Sequence, residues 1–334
     1  MQSILRFWQK LCTLAVVLLL CVSCGYAPAL SFHPWELISL PTDSTPLDLS
    51  FITPQHGWLV GTHASLLETF DGGKTWEPRS LALGDDQDYR FNSVNFSDQE
   101  GWIAGEPSLL LHTTDGGQSW SRVPLSAKLP GAPNTVVALG PQSAEMTTDV
   151  GAIYRTDDGG KTWKAMVQEA VGVVRNMERS PAGQYVAVSS RGSFYSTWKP
   201  GQEAWEPHNR NSSRRVQNMG FGPDEQLWML ANGGQLQFND PNQPDEWSKA
   251  SNPQIAISVG LLDLAYRTPE EVWISGGSGN LLCSLDRGKT WQKDMALESV
   301  PSNLYKIVFF SPDQGFVLGQ DGMILRYIGE TKAA

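Results

Sequence analysis

The hexapeptide "DGGKTW" stands at residues 71–76 and recurs without change at residues 158–163. Two related segments, "TTDGGQSW" at residues 113–120 and "SLDRGKTW" at residues 284–291, share with both copies the pattern S/T-x-D-x-G-x-T/S-W. Identity over six residues is rare by chance in a chain of 334 residues. The hexapeptide therefore predicts that one structural unit is repeated along the chain.

Tryptophans mark the period of this repeat. They end similar segments at residues 35, 76, 120, 163, 205, 247 and 291, at intervals of 41 to 44 residues. Each interval also contains short apolar stretches bounded by Gly, Asp, Asn or Pro, such as "EGWIAG" and "SLLLHT", which are typical of strands joined by hairpins. The pattern predicts an all-β fold, a β-propeller with four-stranded blades.

The two ends of the chain are predicted to share one blade. The last repeat, residues 303–328, has three strands and no Trp strand of its own, whereas "WELISL" at residues 35–40 precedes the first full unit. If this N-terminal strand pairs as the outer strand of the last blade, the ring has seven blades and no open sheet edge. The predicted boundaries are 34–329 for the seven-bladed propeller and 330–334 for a tail.

The repeated motif resembles the Asp box of sialidase-like propellers. This resemblance implies that the Asp accepts backbone N–H bonds across a hairpin, that the Gly adopts angles closed to side chains, and that the Trp is anchored between blades. We therefore expect structural roles, and no catalytic or metal-binding ones, for the Asp and Trp of the four boxes: Asp71, Asp115, Asp158, Asp286, Trp76, Trp120, Trp163 and Trp291.

The first residues have the pattern of an export signal. Arg6 and Lys10 flank an uninterrupted apolar run at residues 11–22. Because this run is too short to span a bilayer comfortably, it suits the core of a signal peptide. The mature protein is therefore expected to act outside the compartment in which it is made.

Two processing sites fit this signal. "CVSC" resembles the lipobox of bacterial lipoproteins, although Cys21 stands where a Leu is usual. It predicts a lipoprotein signal at residues 1–23, lipidation of Cys24 and a linker at residues 24–33. The alternative is ordinary cleavage after "APA", with a mature N-terminus at Leu30.

Several function classes are disfavoured by composition and motifs. The 25 basic and 35 acidic residues give a net charge of −10, which argues against a nucleic-acid partner. The Asp boxes make a sialidase-like or other glycan-processing hydrolase the alternative function, but the Arg-Ile-Pro signature of sialidases does not occur. The five histidines lack ligand spacing, and Cys283 in "NLLCSL" is expected in the core. We predict no catalytic residues, metal or cofactor.

Arginines concentrate where the repeat diverges. The fourth and fifth units have "WKPGQEAW" and "NDPNQPDEW" in place of the Asp box, and six of the fourteen arginines fall within 41 residues there. In an acidic protein this concentration predicts a basic patch on the face opposite the Asp-box turns. Arg179 stands further along its strand than the other arginines, so its placement on that face stays open. The predicted partner-binding residues are Arg175, Arg179, Arg191, Arg210, Arg214 and Arg215.

The arginine-rich segment resembles a known family. "VVRNMERSPAGQYVAVSSRGSFYSTWKPGQEAW" at residues 173–205, running into "EPHNRNSSRRVQNMGF" at residues 206–221, is similar to the photosystem II assembly and stability factors. The resemblance covers the whole mature chain. It implies a monomeric, non-enzymatic chaperone on the lumen side of the thylakoid membrane, held there by a lipid anchor. Such a chaperone binds the newly made precursor of a reaction-centre core subunit and promotes its assembly with the second core subunit.

Overall fold

The computed structural model describes residues 27–84, 87–210, 212–253, 260–297 and 300–329. The predicted signal peptide, Cys24 and the tail at residues 330–334 lie outside them. The described residues form seven separate antiparallel sheets of four strands each. Their helical elements are two short 3-10 turns, Pro223–Glu225 and Met295–Leu297. The predicted all-β propeller with seven four-stranded blades is confirmed.

Blades 1 to 6 each contain four consecutive strands. Blade 1 contains β2 (Pro46–Phe51), β3 (Gly57–Gly61), β4 (Leu66–Thr69) and β5 (Glu77–Pro78). Blade 2 contains β6 (Arg90–Ser97), β7 (Glu100–Glu106), β8 (Leu109–Thr113) and β9 (Ser121–Arg122). Blade 3 contains β10 (Pro133–Gly140), β11 (Ser143–Thr148), β12 (Ile153–Thr156) and β13 (Lys164–Ala165). Blade 4 contains β14 (Val174–Arg179), β15 (Tyr185–Ser189), β16 (Phe194–Trp198) and β17 (Glu206–Asn209). Blade 5 contains β18 (Val216–Phe221), β19 (Leu227–Ala231), β20 (Gln235–Asp240) and β21 (Gln243–Trp247). Blade 6 contains β22 (Leu261–Tyr266), β23 (Val272–Gly276), β24 (Leu281–Ser284) and β25 (Gln292–Lys293).

Blade 7 combines the two ends of the described chain. Its inner strands are β26 (Leu304–Ser311), β27 (Gln314–Gly319) and β28 (Met323–Tyr327), and its outer strand is β1 (Trp35–Ser39). β1 pairs antiparallel with β28, with Trp35 opposite Tyr327. Trp35 is buried and packs edge-on against Trp273 and Tyr327, with ring centroids 5.3 Å apart in both pairs. The predicted closure by the N-terminal strand is confirmed.

The alternating strand directions give the ring two different faces. Hairpins between the first and second strands, and between the third and fourth strands, lie on one face, which we call the Asp-box face. Hairpins between the second and third strands, and the links from one blade to the next, lie on the opposite face, which we call the connection face. A residue's place in its blade therefore decides on which face it lies.

Large aromatic side chains on the second strands fill the space between blades. β3, β19 and β23 are buried along their whole lengths because each lies inside its sheet and between two neighbouring blades. Their tryptophans, Trp58, Trp228 and Trp273, are at most 2% exposed. Burial of these rings between neighbouring blades supplies apolar area that the short strands lack.

Polar side chains on the innermost strands join neighbouring blades. Asp48 Oδ2 accepts a bond from the backbone N of Val94 in blade 2 at 3.0 Å, and Asp263 Oδ2 accepts one from Ile307 N in blade 7 at 2.9 Å. Lys306 Nζ donates to Asp48 Oδ1 at 2.6 Å and so links blade 7 back to blade 1. The two bonds from Val94 N and Ile307 N satisfy backbone groups at the inner sheet edges, which have no neighbouring strand.

The outer strands differ between blades with and without an Asp box. In blades 1, 2, 3 and 6 the Trp of the box directly precedes an outer strand of only two residues. In blades 4 and 5 the outer strands have four and five residues, and Trp247 is the last residue of β21. Loss of the box thus allows a longer outer strand where the arginines are concentrated.

Candidate functional site

The Asp boxes are tight turns closed by the Asp carboxylate. Asp71 Oδ1 accepts bonds from the backbone N of Lys74 at 3.0 Å and of Thr75 at 2.9 Å, while its Oδ2 accepts one from Thr75 Oγ1 at 2.7 Å. At Asp158 the hydroxyl of Thr162 donates at 2.6 Å, and this bond, with the backbone bond from the same residue, lowers the pKa of Asp158 to about 2. Asp115 and Asp286 accept the same pair of bonds, from Ser119 and Thr290.

The remaining residues of each box fix it to the preceding blade. Gly117 has φ +90°, and an added Cβ would lie 2.4 Å from the Trp58 ring of blade 1. Trp120 packs edge-on against the same ring, with centroids 6.1 Å apart. Since every carboxylate oxygen of Asp71 and Asp158 faces its own turn, the boxes have the geometry of structural staples rather than of a catalytic site.

Five of the six predicted arginines lie together on the connection face. Arg191 is in the hairpin between β15 and β16, and Arg210 and Arg214 are in the link from β17 to β18. Arg175 is the second residue of β14, and Arg215 directly precedes β18. Both inner strands begin on the connection face, so the topology brings all five to one side of blades 4 and 5. We call these five residues the arginine cluster.

Backbone oxygens and amide side chains hold Arg175 in position. Its Nε and Nη2 donate to the backbone O of Ser190 at 3.3 and 3.2 Å, and its Nη1 donates to Gln217 Oε1 of blade 5 at 2.7 Å. Gln217 in turn donates to Asn232 Oδ1. The bond from Arg175 to Gln217 joins blade 4 to blade 5, and the bonds of Arg175 orient its guanidinium without neutralising its charge.

A second set of bonds organises the link from β17 to β18. Arg210 Nη1 donates to the backbone O of Arg214 at 2.5 Å, and Arg214 Nη1 donates to the backbone O of Asn232 at 3.1 Å. At Gly192 an added Cβ would lie 2.3 Å from the backbone O of Val216. The hairpin that contains Arg191 therefore approaches β18 so closely that only Gly fits at residue 192.

The charge of the arginine cluster is not compensated within the described part of the chain. There none of the five arginines forms an ion pair, whereas six others do: Arg79, Arg155, Arg179, Arg267, Arg287 and Arg326. A guanidinium has five N–H donors; in the contacts above Arg175 uses three of them, and Arg210 and Arg214 use one each. The remaining donors are available to carboxylates or carbonyl oxygens of a partner.

Arg179 lies apart from the arginine cluster. It ends β14 and therefore points toward the Asp-box face, where its Nε donates to Glu145 Oε2 of blade 3 at 2.7 Å. Tyr185 donates its hydroxyl to the same Glu145 oxygen at 3.0 Å, and the Arg179 guanidinium lies over the Tyr185 ring. This pair of half-buried Arg179 and buried Glu145 bridges two blades, so we assign Arg179 to structure and leave it out of the partner site.

A groove that the sequence did not predict adjoins the cluster. It lies between blades 4 and 5 and has a volume of about 570 Å³. The His208 and Tyr195 rings are stacked 4.7 Å apart on its wall, Trp247 Nε1 donates to the Tyr195 hydroxyl at 3.2 Å, and Arg210 also lines it. The only sequence signal for this groove is the missing Asp box in both blades.

Metal-ligand clusters and membrane-spanning helices are absent from the described ranges. These ranges contain no three His, Cys, Asp or Glu side chains grouped as metal ligands, and no helix there is long and apolar enough to cross a membrane. Cys283 is fully buried, and this burial raises the pKa of its thiol far above the usual range. As expected from the sequence, Cys283 is a core residue.

Comparisons with known proteins agree on one family. Residues 27–328 match the family model described as photosynthesis system II assembly factor YCF48. The photosystem II assembly lipoprotein Ycf48 of Trichormus variabilis is 64% identical over 325 residues, covering 97% of this chain and 95% of that protein. The corresponding assembly protein of Thermosynechococcus vestitus is 65% identical, covering 92% of this chain and 88% of its own.

A solved structure of YCF48 bound to a D1 peptide superposes with a TM-score of 0.89 at 62% identity, covering 91% of this chain and 100% of that one. These names give no support to the alternative of a glycan-processing hydrolase.

Proposed function

The chain belongs to the YCF48 family of photosystem II assembly factors, and from this membership we propose that it binds the newly made precursor of the reaction-centre core subunit D1. The relative whose structure contains a D1 peptide is 62% identical over its whole length. By holding the precursor, the protein promotes its assembly with the second core subunit during synthesis and repair of photosystem II.

The arginine cluster is the single observation that carries the proposed binding site. It places five uncompensated guanidinium groups on one face of an otherwise acidic propeller. Paired donors on a guanidinium fit carboxylates and successive carbonyl oxygens of an extended peptide, which Lys recognises less well. The adjoining groove, lined by Tyr195 and Trp247, would receive an apolar side chain of the same peptide.

We further propose that the protein works by binding alone, as a monomer, on the lumen side of the thylakoid membrane. The names of its relatives describe assembly proteins and, in part, lipoproteins. Lipidation of Cys24 would hold the propeller at the membrane in which D1 is inserted, whereas cleavage after Ala29 would release it.

The test reverses the charge of three cluster residues. In the variant Arg175→Glu, Arg214→Glu, Arg215→Glu, the D1 precursor should no longer co-purify with the tagged protein from detergent-solubilised thylakoids. Each lost charge-assisted bond costs about 1.5 to 3 kcal/mol, so loss of only two weakens binding by about 100-fold or more. These side chains are exposed, and the melting temperature should therefore change little.

The matched control carries the same change in charge on the Asp-box face of blades 3 and 4, as Lys161→Glu, Lys164→Glu, Lys199→Glu. All three lysines are exposed and lie in or beside the hairpin between the third and fourth strands. This variant should retain the D1 precursor at moderate salt. Wild-type recovery with the arginine variant, or an equal loss with the lysine variant, would show that the cluster is not the binding site.

A further inference from the structure

We propose that the Asp-box face of blades 6, 7 and 1 lies against the lipid bilayer, so that the arginine cluster is directed away from the membrane surface. The inference extends the proposed lipid anchoring of Cys24. It rests on the direction of the first described residues, on the positions of exposed apolar side chains and on the charges beside them.

The N-terminal segment leaves the propeller on the Asp-box face. Lys293 N donates to Pro28 O and Leu30 N donates to Lys293 O, both at 2.8 Å, so this segment runs parallel to β25. Because β25 follows an Asp box, it runs from the Asp-box face toward the connection face, and the residues that precede Pro28 must come from the Asp-box side. Ala27 accordingly packs in the same core cluster as Trp291 of that box.

The distance from this point to the lipid is short. Only Gly25 and Tyr26 separate Cys24 from Ala27. Three residue steps span at most about 10 Å of extended chain. A lipid on Cys24 would therefore hold the Asp-box side of blade 6 within about 10 Å of the bilayer surface.

Exposed apolar side chains are concentrated on the same side. The described residues include seven large apolar side chains that are exposed, and six of them belong to blades 6, 7 and 1. Four lie on the Asp-box face: Phe70 and Leu285 at the tips of two Asp boxes, Phe310 at the end of β26, and Ile328 directly after β28. Phe70 is 57% exposed and Leu285 is 49% exposed.

Basic side chains accompany the two box tips. Lys74 follows Phe70 in the blade 1 box, Lys289 follows Leu285 in the blade 6 box, and both lysines are exposed. Aromatic and aliphatic side chains beside lysines suit the headgroup region of a membrane that contains anionic lipids. The contact would orient an anchored protein, since the lipid chain alone fixes only its distance from the membrane.

The experiment compares single labels on the two faces of the lipidated full chain. Phe70→Cys and Leu285→Cys report on the Asp-box face, while Val173→Cys and Met295→Cys are matched controls at exposed apolar positions of the connection face. The native Cys283 is buried and will not react. Each variant is labelled with an environment-sensitive fluorophore and reconstituted on vesicles of phosphatidylcholine and phosphatidylglycerol in equal amounts.

The labels at residues 70 and 285 should shift to shorter wavelength on vesicles, and those at residues 173 and 295 should not. An equal response at all four positions, no response, or a response at residues 173 and 295 alone would overturn the proposal. So would a shift at residues 70 and 285 without vesicles, which would indicate a second copy of the chain on this face.

A second experiment tests the orientation of the propeller without its native lipid anchor. Residues 1–24 are replaced by a hexahistidine segment, and the protein is tethered to vesicles of the same composition that also contain a nickel-chelating lipid. If the native chain fails to attach but the tethered one gives the expected pattern, the lipidation proposal fails and the assignment of the face stands. The reverse pattern on tethered protein refutes the assignment.

Discussion

Replacing Trp35 by Ala should destabilise the whole propeller, because Trp35 is the main apolar anchor of the strand that closes the ring. The side chain is 1% exposed. Its ring contacts Trp273 of blade 6, and Phe309 and Tyr327 of blade 7, with centroid distances of 5.3, 5.8 and 5.3 Å. Ala would leave a cavity at the junction of the first and last described strands.

The size of the effect follows from these contacts. Truncation of a buried Trp to Ala costs about 3 to 5 kcal/mol. For a cooperative unit of about 300 residues, an unfolding entropy near 2.1 cal/mol/K per residue gives about 0.6 kcal/mol/K in total. The melting temperature should therefore fall by about 5 to 8 °C.

The matched control lies in the same strand. Leu37 is 51% exposed, so Leu37→Ala keeps the pairing of β1 with β28 and removes little buried area. Differential scanning calorimetry of both variants should give a shift of no more than about 1 °C for Leu37→Ala, as is usual for surface changes. Equal shifts for the two variants would refute the idea that Trp35 anchors the closure.

Two further predictions concern the Asp boxes and the inner strands. Asp71→Ala removes the four bonds that the carboxylate accepts from Thr69, Lys74 and Thr75, and it should lower the free energy of unfolding by about 1 to 3 kcal/mol. Urea unfolding measures this loss, Lys74→Ala is the control, and D1 co-purification should stay at the wild-type level. Burial, together with the Asp263 carboxylate, raises the pKa of Glu178 to about 8. Because the folded protein favours the protonated acid, ionisation of Glu178 removes stability as the pH rises from about 4.5 to 8. Glu178→Gln should therefore melt above the wild type at pH 9 and together with it near pH 5; a pH-independent difference would contradict the shift.

The ring could be predicted because its determinants are local and repeated. Each Asp box specifies one hairpin by residues close together in the sequence, and the spacing of the tryptophans gives the number of blades. The split blade followed from counting, since "WELISL" is one strand too many at one end and the last repeat lacks one strand. Periodicity carries this information without any knowledge of which side chains touch.

The details of the site depend on contacts between blades, which periodicity does not describe. Arg179 and Arg175 are four residues apart in one strand, yet Arg179 pairs with Glu145 of blade 3 while Arg175 binds Gln217 of blade 5. The groove beside Arg210 likewise forms between two blades that have both lost the Asp box. Neither partner could be chosen from the sequence, because many acidic and amide side chains lie at similar separations along the chain.

The split blade also imposes an order of events on biogenesis. β1 is synthesised first, but its partner β28 is among the last segments to be made, about 290 residues later. The ring therefore cannot close until β28 has been synthesised, and until then the edge of β1 has no partner strand. Pairing over such a separation is slow, so the unclosed chain is the species most exposed to aggregation and proteolysis. An N-terminal anchor would hold that first strand in place while the remaining blades are delivered beside it.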